Sequence, residues 1–181
     1  MKQFLLFLSA LLCLALPSLS QDTWTCRKEI SLRMGGDRLL GSGEGYMWNG
    51  QIEYAWRMGR SFGLGLGTGV WWPSDASFVG IPLTLRPSYG WYGGRVAPYV
   101  AIRCSALLCI GDNDADLPLY SALCISPEVG VKVPVASWLA FDASAGYTHY
   151  GFCDSGGGAF GIKAGISFGL CRQAHKRHKR H

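Results

Sequence analysis

From residue 26 to residue 170 the chain alternates between a large apolar side chain and a small or polar one, and it does so segment after segment. A period of two places successive side chains on opposite faces of a strand; a helix needs apolar residues at i, i+3, i+4 and i+7, and no window past the N-terminal segment keeps that pattern. The clearest run has Tyr46, Trp48, Ile52, Tyr54, Trp56 and Met58 on one parity, with Asn49, Gln51, Glu53 and Arg57 on the other. Phe62, Leu64, Leu66, Val70 and Trp72 alternate with Gly63, Gly65, Gly67 and Gly69. Similar runs give eight strands, expected near 26–36, 44–58, 61–73, 78–89, 94–106, 120–133, 136–150 and 156–170. The second, fourth and sixth connections are tight and the fifth, about 107–119, is the longest. That spacing suits an up-and-down meander with a turn end and a loop end.

Two terminal segments stand outside the pattern. Met1-Lys2-Gln3, the apolar stretch Phe4–Leu16 and the small residues Ser18 and Ser20 have the order and lengths of a secretory signal peptide, so 1–20 is expected to be removed. The run is too short and wrongly flanked for a membrane-spanning helix. The tail 171–181 holds five Lys/Arg and no acid and is expected to be disordered. Subtracting that tail and Lys2 from the whole-chain charge of +5 leaves a net −1 on residues 21–170. The basic balance therefore belongs to an appendix, and a nucleic-acid partner is not expected.

The composition of the two faces decides the solvent. Charged residues make up only 16% of the chain, and 25 residues are glycine. The polar parity is mostly Gly, Ala, Ser and Thr with isolated charges: Arg33, Glu53, Arg57, Arg86, Arg95, Arg103, Glu128, Lys132, Asp142 and Lys163. A face turned to water usually carries many Lys and Glu, whereas a crowded interior wants small residues and paired charges. The other parity is aliphatic in its middle and aromatic at its ends. Trp56, Phe62, Tyr89 and Phe168 fall at one rim, and Tyr46, Trp48, Trp72 and Tyr147 at the other. Aromatic girdles flanking an aliphatic band are the membrane-interface pattern. Strands that cross a membrane must close on themselves, because an open edge would leave backbone groups unpaired in hydrocarbon. The expected fold is all-β, an eight-stranded antiparallel up-and-down transmembrane barrel over 21–170, just narrow enough for side chains to fill its lumen.

The chain resembles the small eight-stranded outer-membrane barrels of the OmpA/OmpX type from Gram-negative bacteria. The signal segment, the eight alternating runs, Ile81-Pro82-Leu83-Thr84-Leu85, Pro98-Tyr99 and the last strand Gly161–Leu170 carry the likeness. It implies residence in the outer membrane, contact with its lipid, and recognition of the last strand by the barrel assembly machinery. Leu170 stands where such strands usually end in Phe, and the basic tail follows it, so Phe168 is the aromatic available for that recognition.

Six cysteines follow the signal segment, and an exported chain favours disulfides. Cys26 and Cys171 could meet where the first and last strands close. Cys104, Cys109, Cys124 and Cys153 lie towards the loop end, with Cys104 and Cys124 flanking the longest loop. No Cys or His spacing suits zinc. Asp112-Asn113-Asp114-Ala115-Asp116 opens like a calcium loop, but Leu117 and Leu123 occupy the positions that need Gly and Glu. The glycines 63–69 run GxGxGxG with no helix after them, which fits lumen-facing strand positions rather than a phosphate cradle. No metal or cofactor is expected.

His149 resembles the histidine that the lipid A deacylase family of outer-membrane barrels places near the top of its seventh strand. The serine of that motif corresponds to Gly151 and the asparagine to Phe152, so the imidazole has no hydroxyl to activate. Three readings of function follow. One is a structural, adhesive or surface-interaction barrel with a filled, non-conducting lumen and an unidentified extracellular partner. The second is a lipid-modifying barrel enzyme, and the third a soluble exported β-barrel or sandwich that binds a ligand.

Overall fold

A computed structural model describes residues 26–40, 45–74, 78–92, 96–111, 121–151 and 157–170. Every element among them is a strand: β1 (Lys28–Leu40), β2 (Tyr46–Met58), β3 (Phe62–Pro73), β4 (Phe78–Gly90), β5 (Ala97–Gly111), β6 (Ser121–Ala136), β7 (Leu139–Gly151) and β8 (Gly157–Gly169). Each strand pairs antiparallel with its neighbours in sequence, and β8 returns to β1 to close the barrel. The closing seam runs unbroken from Glu29↔Gly169 to Leu40↔Gly158. No edge is left for water or another chain to satisfy, which is the condition hydrocarbon imposes.

The second and sixth connections are tight as expected, but the fourth, also expected to be tight, takes six residues, 91–96, against four, 74–77, for the third. The β2–β3 turn occupies three residues, with Gly59 at φ +72°, and β6–β7 turns through Ser137 and Trp138. The seam places the start of β1 and the end of β8 at this same turn end, where the amide of Leu170 donates to the carbonyl of Lys28 at 2.7 Å.

Three strands outrun their sequence-based limits by three residues or more. β1 continues past residue 36 to Leu40, β5 past 106 to Gly111 and β6 past 133 to Ala136. Residues 107–111, expected to begin the long loop, instead pair with β4 from Phe78↔Gly111 to Pro82↔Leu107. Connection five therefore spans only 112–120, outside the described residues.

The ladder is interrupted between three strand pairs. Between β3 and β4 the register passes from Thr68↔Leu83 to Trp71↔Gly80. Between β4 and β5 it jumps from Leu85↔Cys104 to Ser88↔Ala101, and between β6 and β7 from Ile125↔His149 to Glu128↔Gly146. Pro82, Pro87 and Pro127 sit in these gaps. A proline has no N–H to give a ladder, so the sheet is unbonded there.

The parities separate as the alternation required. Leu32, Met34, Ile52, Leu66, Leu83, Ile102, Val129, Phe141 and Ile162 all point outward and are exposed. Arg33, Asn49, Glu53, Thr84, Arg86, Arg103, Glu128, Lys132, Asp142 and Lys163 are buried inside. Leu83 is 67% exposed and its neighbour Thr84 only 4%, so the inversion is complete within one peptide unit. A soluble barrel would show the reverse.

Candidate functional site

The lumen is built in layers, and its widest side chains face glycine across the ladder. Arg33 lies opposite Gly165, Asp37 opposite Gly161, Lys163 opposite Gly35, Arg57 opposite Gly63 and Glu128 opposite Gly146. A Cβ on Gly146 would come within 3.0 Å of the Glu128 side chain, and one on Gly35 within 2.6 Å of Lys163 Cγ. The glycines of the polar parity are thus the space into which the charges lean.

At the turn end, Glu29 pairs with Lys132, and Arg57 reaches its second oxygen at 4.0 Å. The Arg57 guanidinium also lies 3.9 Å from the centre of the Tyr92 ring.

Above this layer six charges share one cluster. Arg33 approaches Glu53 at 3.5 Å, Glu128 at 3.5 Å and Asp142 at 3.7 Å. Arg86 joins Glu53 at 3.2 Å and also bonds Glu128 through Nε. Arg103 reaches the other Glu128 oxygen at 3.0 Å. Tyr99 donates its phenol hydrogen to Asp142 at 2.8 Å, and Arg86 lies 4.9 Å from the centre of its ring. Glu128 is the hub: it serves three guanidinium groups at once.

Higher still, Asn49 donates to Asp37 at 3.0 Å, and Lys163 stands 4.0 Å from the second Asp37 oxygen. Trp71, Met47, Leu107 and Cys124 then close the lumen towards the loop end as an apolar plug. Tyr150 packs on Trp71 edge to face, with ring centres 6.0 Å apart, and its hydroxyl points to Met47 Sδ at 3.9 Å. Hydroxyl rungs Ser31–Ser167, Thr84–Ser105 and Ser126–Thr148, at 2.8–2.9 Å, tie neighbouring strands on the inner face.

Nine of the ten charges assigned to the interior from sequence are placed there, while Arg95 lies outside the described residues. The assignment was short of acids. Glu29 and Asp37 also face inward, and they cut the excess of cations in the sequence-based set from four to two. Trp71 was missed as well, because its neighbour Trp72 hid the change of face.

The eight girdle aromatics all lie on the outer face, at the two rims expected. Trp48 pairs with Trp72, and Phe62 with Tyr89. Tyr54, Trp138 and Phe160 add to them: Tyr54 meets Trp56 at 4.4 Å, Trp138 stacks on Phe168 at 6.4 Å, and Phe160 packs against Tyr147 at 5.2 Å.

Cys104 and Cys124, which flank the longest loop in the sequence, are not bridged to each other. Ser105, not Cys104, is the partner of Cys124, so Cys104 points out to the wall and Cys124 into the plug. Strands paired this way hold the two thiols on opposite sides of the sheet. Cys26 is buried at the turn-end seam. The side chain of Cys109, all of Cys153 and Cys171, the acidic stretch 112–116, and the segments 1–20 and 172–181 lie outside the described residues.

His149 stands exposed on the outer face near the end of β7. No group of three or more His, Cys, Asp or Glu side chains among the described residues is placed to hold a metal ion.

No family model matches the chain, and no curated protein matches it. Solved structures do. Neisserial surface protein A aligns with a TM-score of 0.69 at 14% identity, over 79% of this chain and 97% of that one. OprG, an outer-membrane protein of Pseudomonas aeruginosa, aligns at 0.59 with 10% identity, over 81% and 97%. The N-terminal barrel domain of OprF from the same organism aligns at 0.54 with 16% identity, over 80% and 100%. The outer-membrane setting read from the sequence is that of the structures it matches, and the chain has the fold of the small eight-stranded outer-membrane barrels, the OmpA/OmpX architecture.

Proposed function

We propose that this protein is a non-conducting outer-membrane barrel whose role is structural, adhesive or surface-interacting, exercised through its loops and its outer wall. One observation carries the reading: the interior is blocked by side chains at its middle and at its loop end. The Glu128 cluster blocks the middle and Trp71, Met47, Leu107 and Cys124 block the loop end. A lumen so occupied has no aqueous path, in keeping with an eight-stranded barrel. The work then falls to the surfaces that remain. The last strand offers Phe160, Ile162, Ala164, Ile166 and Phe168 outward, the alternating face on which recognition by the assembly machinery would rest.

A lipid-modifying role is disfavoured by the chain's own residues. Gly151 gives no nucleophile two positions after His149, and a general base without a hydroxyl partner has nothing to deprotonate.

The test combines planar-bilayer recording of the purified barrel with mass spectrometry of lipid A from cells with and without it. The proposal expects no stepwise conductance and an unchanged acyl pattern. It also expects cells whose 112–120 segment is replaced by a short Gly-Ser linker to lose attachment to epithelial monolayers while the barrel still folds. A discrete conductance or a lost acyl chain would overturn it.

A further inference from the structure

The outer wall of a membrane barrel is expected to be convex and evenly greasy, yet here it carries a depression of about 680 Å³. That volume lies within the range of about 300–1,000 Å³ found for small-molecule sites. Phe62 and Tyr89 stand at its turn-end rim, Pro127 and Ala145 form its floor, and Tyr147 and Phe160 stand at the other end. The floor is low because proline and alanine are short where their neighbours are aromatic or branched.

Its course follows from the register. Leu64 faces Pro87, Ile102 faces Pro127, Tyr147 faces Phe160, and Phe160 faces Arg38, which faces Tyr46. These residues make one row across the strands. Leu64 is close to the turn end of β3, whereas Tyr46 begins β2 at the loop end. With strands about 4.8 Å apart and tilted about 40°, the four steps from Pro87 to Phe160 that line the groove climb about 12 Å, and all seven from Leu64 to Tyr46 about 22 Å. The row thereby crosses most of an apolar band about 25 Å tall, and the groove about half of it.

At the upper end the chemistry changes. Among the described strands, the outward parity carries two Lys/Arg side chains: Lys28 at the turn end and Arg38 at the loop end. Arg38 follows Phe160 directly in the row. His149 is the next outward residue beyond Tyr147 on β7, opposite Gly158. Gly158 has no side chain, and the Tyr147 phenol lies over it, so Tyr147 and Phe160 form the surface between His149 and Arg38. A cation on a wall facing acyl chains is costly unless it reaches the headgroup level and meets an anion there.

We infer that this groove binds one phosphate-bearing lipid of the outer leaflet, with an acyl chain lying over Pro127 and Ala145 and the phosphate against Arg38 and His149. The inference rests on the outer-membrane reading of the barrel and adds a specific lipid site to it. An arginine fork matches a phosphate in two directions, and burial of one chain in a preformed apolar slot adds contact that ordinary annular lipid lacks.

The probe is lipid A carrying its phosphates, compared with the same lipid stripped of them, added to the refolded barrel in detergent and read by native mass spectrometry. The wild type should retain one phosphorylated lipid A and hold the stripped form at least tenfold more weakly. Arg38→Gln should lower retention of the phosphorylated form to the level of the stripped one. Ala145→Trp, which fills the groove from the outer face, should lose both, whereas Ala143→Trp on the same face outside the groove should not. Heat-modifiable gel mobility checks that each variant is a folded barrel. Folded wild type that retains the two lipids equally, or retains neither, would overturn the site and leave the outer-membrane reading standing. Equal retention by wild type and Ala145→Trp would also overturn it.

Discussion

Asp37 on β1 faces Gly161 on β8 across the seam that closes the barrel, and its carboxylate occupies the space a side chain at 161 would need. The same arrangement holds for Arg33 and Gly165 one layer below. Closure therefore depends on two missing side chains as much as on two charges. Gly161→Val and Gly165→Val should each prevent or strongly slow barrel formation, read as loss of the heat-modifiable band after refolding into detergent. Gly36→Val is the matched control. Position 36 points outward, where a Cβ meets only the Trp48 ring at 3.5 Å, and folding should proceed. If the inner and outer variants fold equally well, the glycines are not what admits the charges.

The hub of the interior is a single carboxylate. Glu128 meets Arg33, Arg86 and Arg103, all deeply buried. Neutralising it leaves three guanidinium groups with Glu53 and Asp142 as the remaining cluster acids. Removing one partner from a buried ion pair costs about 3–5 kcal/mol, because the desolvated charge left behind is uncompensated. Glu128→Gln should lower the urea midpoint of unfolding in micelles by far more than Ser126→Ala, which removes one lumen hydrogen bond of about 1 kcal/mol. Comparable losses from the two variants would mean that the cluster is not the stabilising centre of the lumen.

Much of this was legible in the sequence, and the misses share a physical cause. Period-two alternation gave all eight strands and the face of each side chain wherever the two faces differed in polarity. Where both faces are apolar the signal vanishes. Leu107, Leu108, Cys109 and Ile110 read as an unpatterned run because Leu107 belongs to the apolar plug while Leu108 and Ile110 face lipid. Trp71 and Trp72 conceal a change of face for the same reason. Gly35-Gly36 looked like a strand end, yet Gly35 is the room that Lys163 requires. The wall groove was not readable at all, since Pro87, Pro127 and Ala145 come together only through the stagger of closed strands.

The face assignment has a direct physical test at adjacent residues. Leu83 is on the wall and Thr84 in the lumen, paired there to Ser105 at 2.9 Å. Nitroxide labels at the two positions should report opposite environments, with dissolved oxygen relaxing the label at 83 and much less the one at 84. Leu83→Arg should destabilise the barrel by about 2–4 kcal/mol, the cost of placing a charge on the lipid face near the midplane. Greater oxygen access at 84 than at 83 would turn the whole molecule inside out.

The turn-end seam carries the last prediction. Leu170 donates its amide to Lys28, one residue beyond the Glu29↔Gly169 pair, so the start of β1 and the end of β8 run side by side. Cys26 is buried beside Ala140 and Tyr92 at this end. A Cys26–Cys171 disulfide would staple the first strand to the last, and closing a loop of well over a hundred residues is worth about 4–5 kcal/mol on the chain-entropy account. Digestion without reductant should yield a peptide pair joining residues 26 and 171, and Cys171→Ser should lower the temperature at which the folded band disappears. Peptides that leave Cys26 bridged to any other cysteine, or an unchanged transition in Cys171→Ser, would show that β8 is held to β1 by its ladder alone.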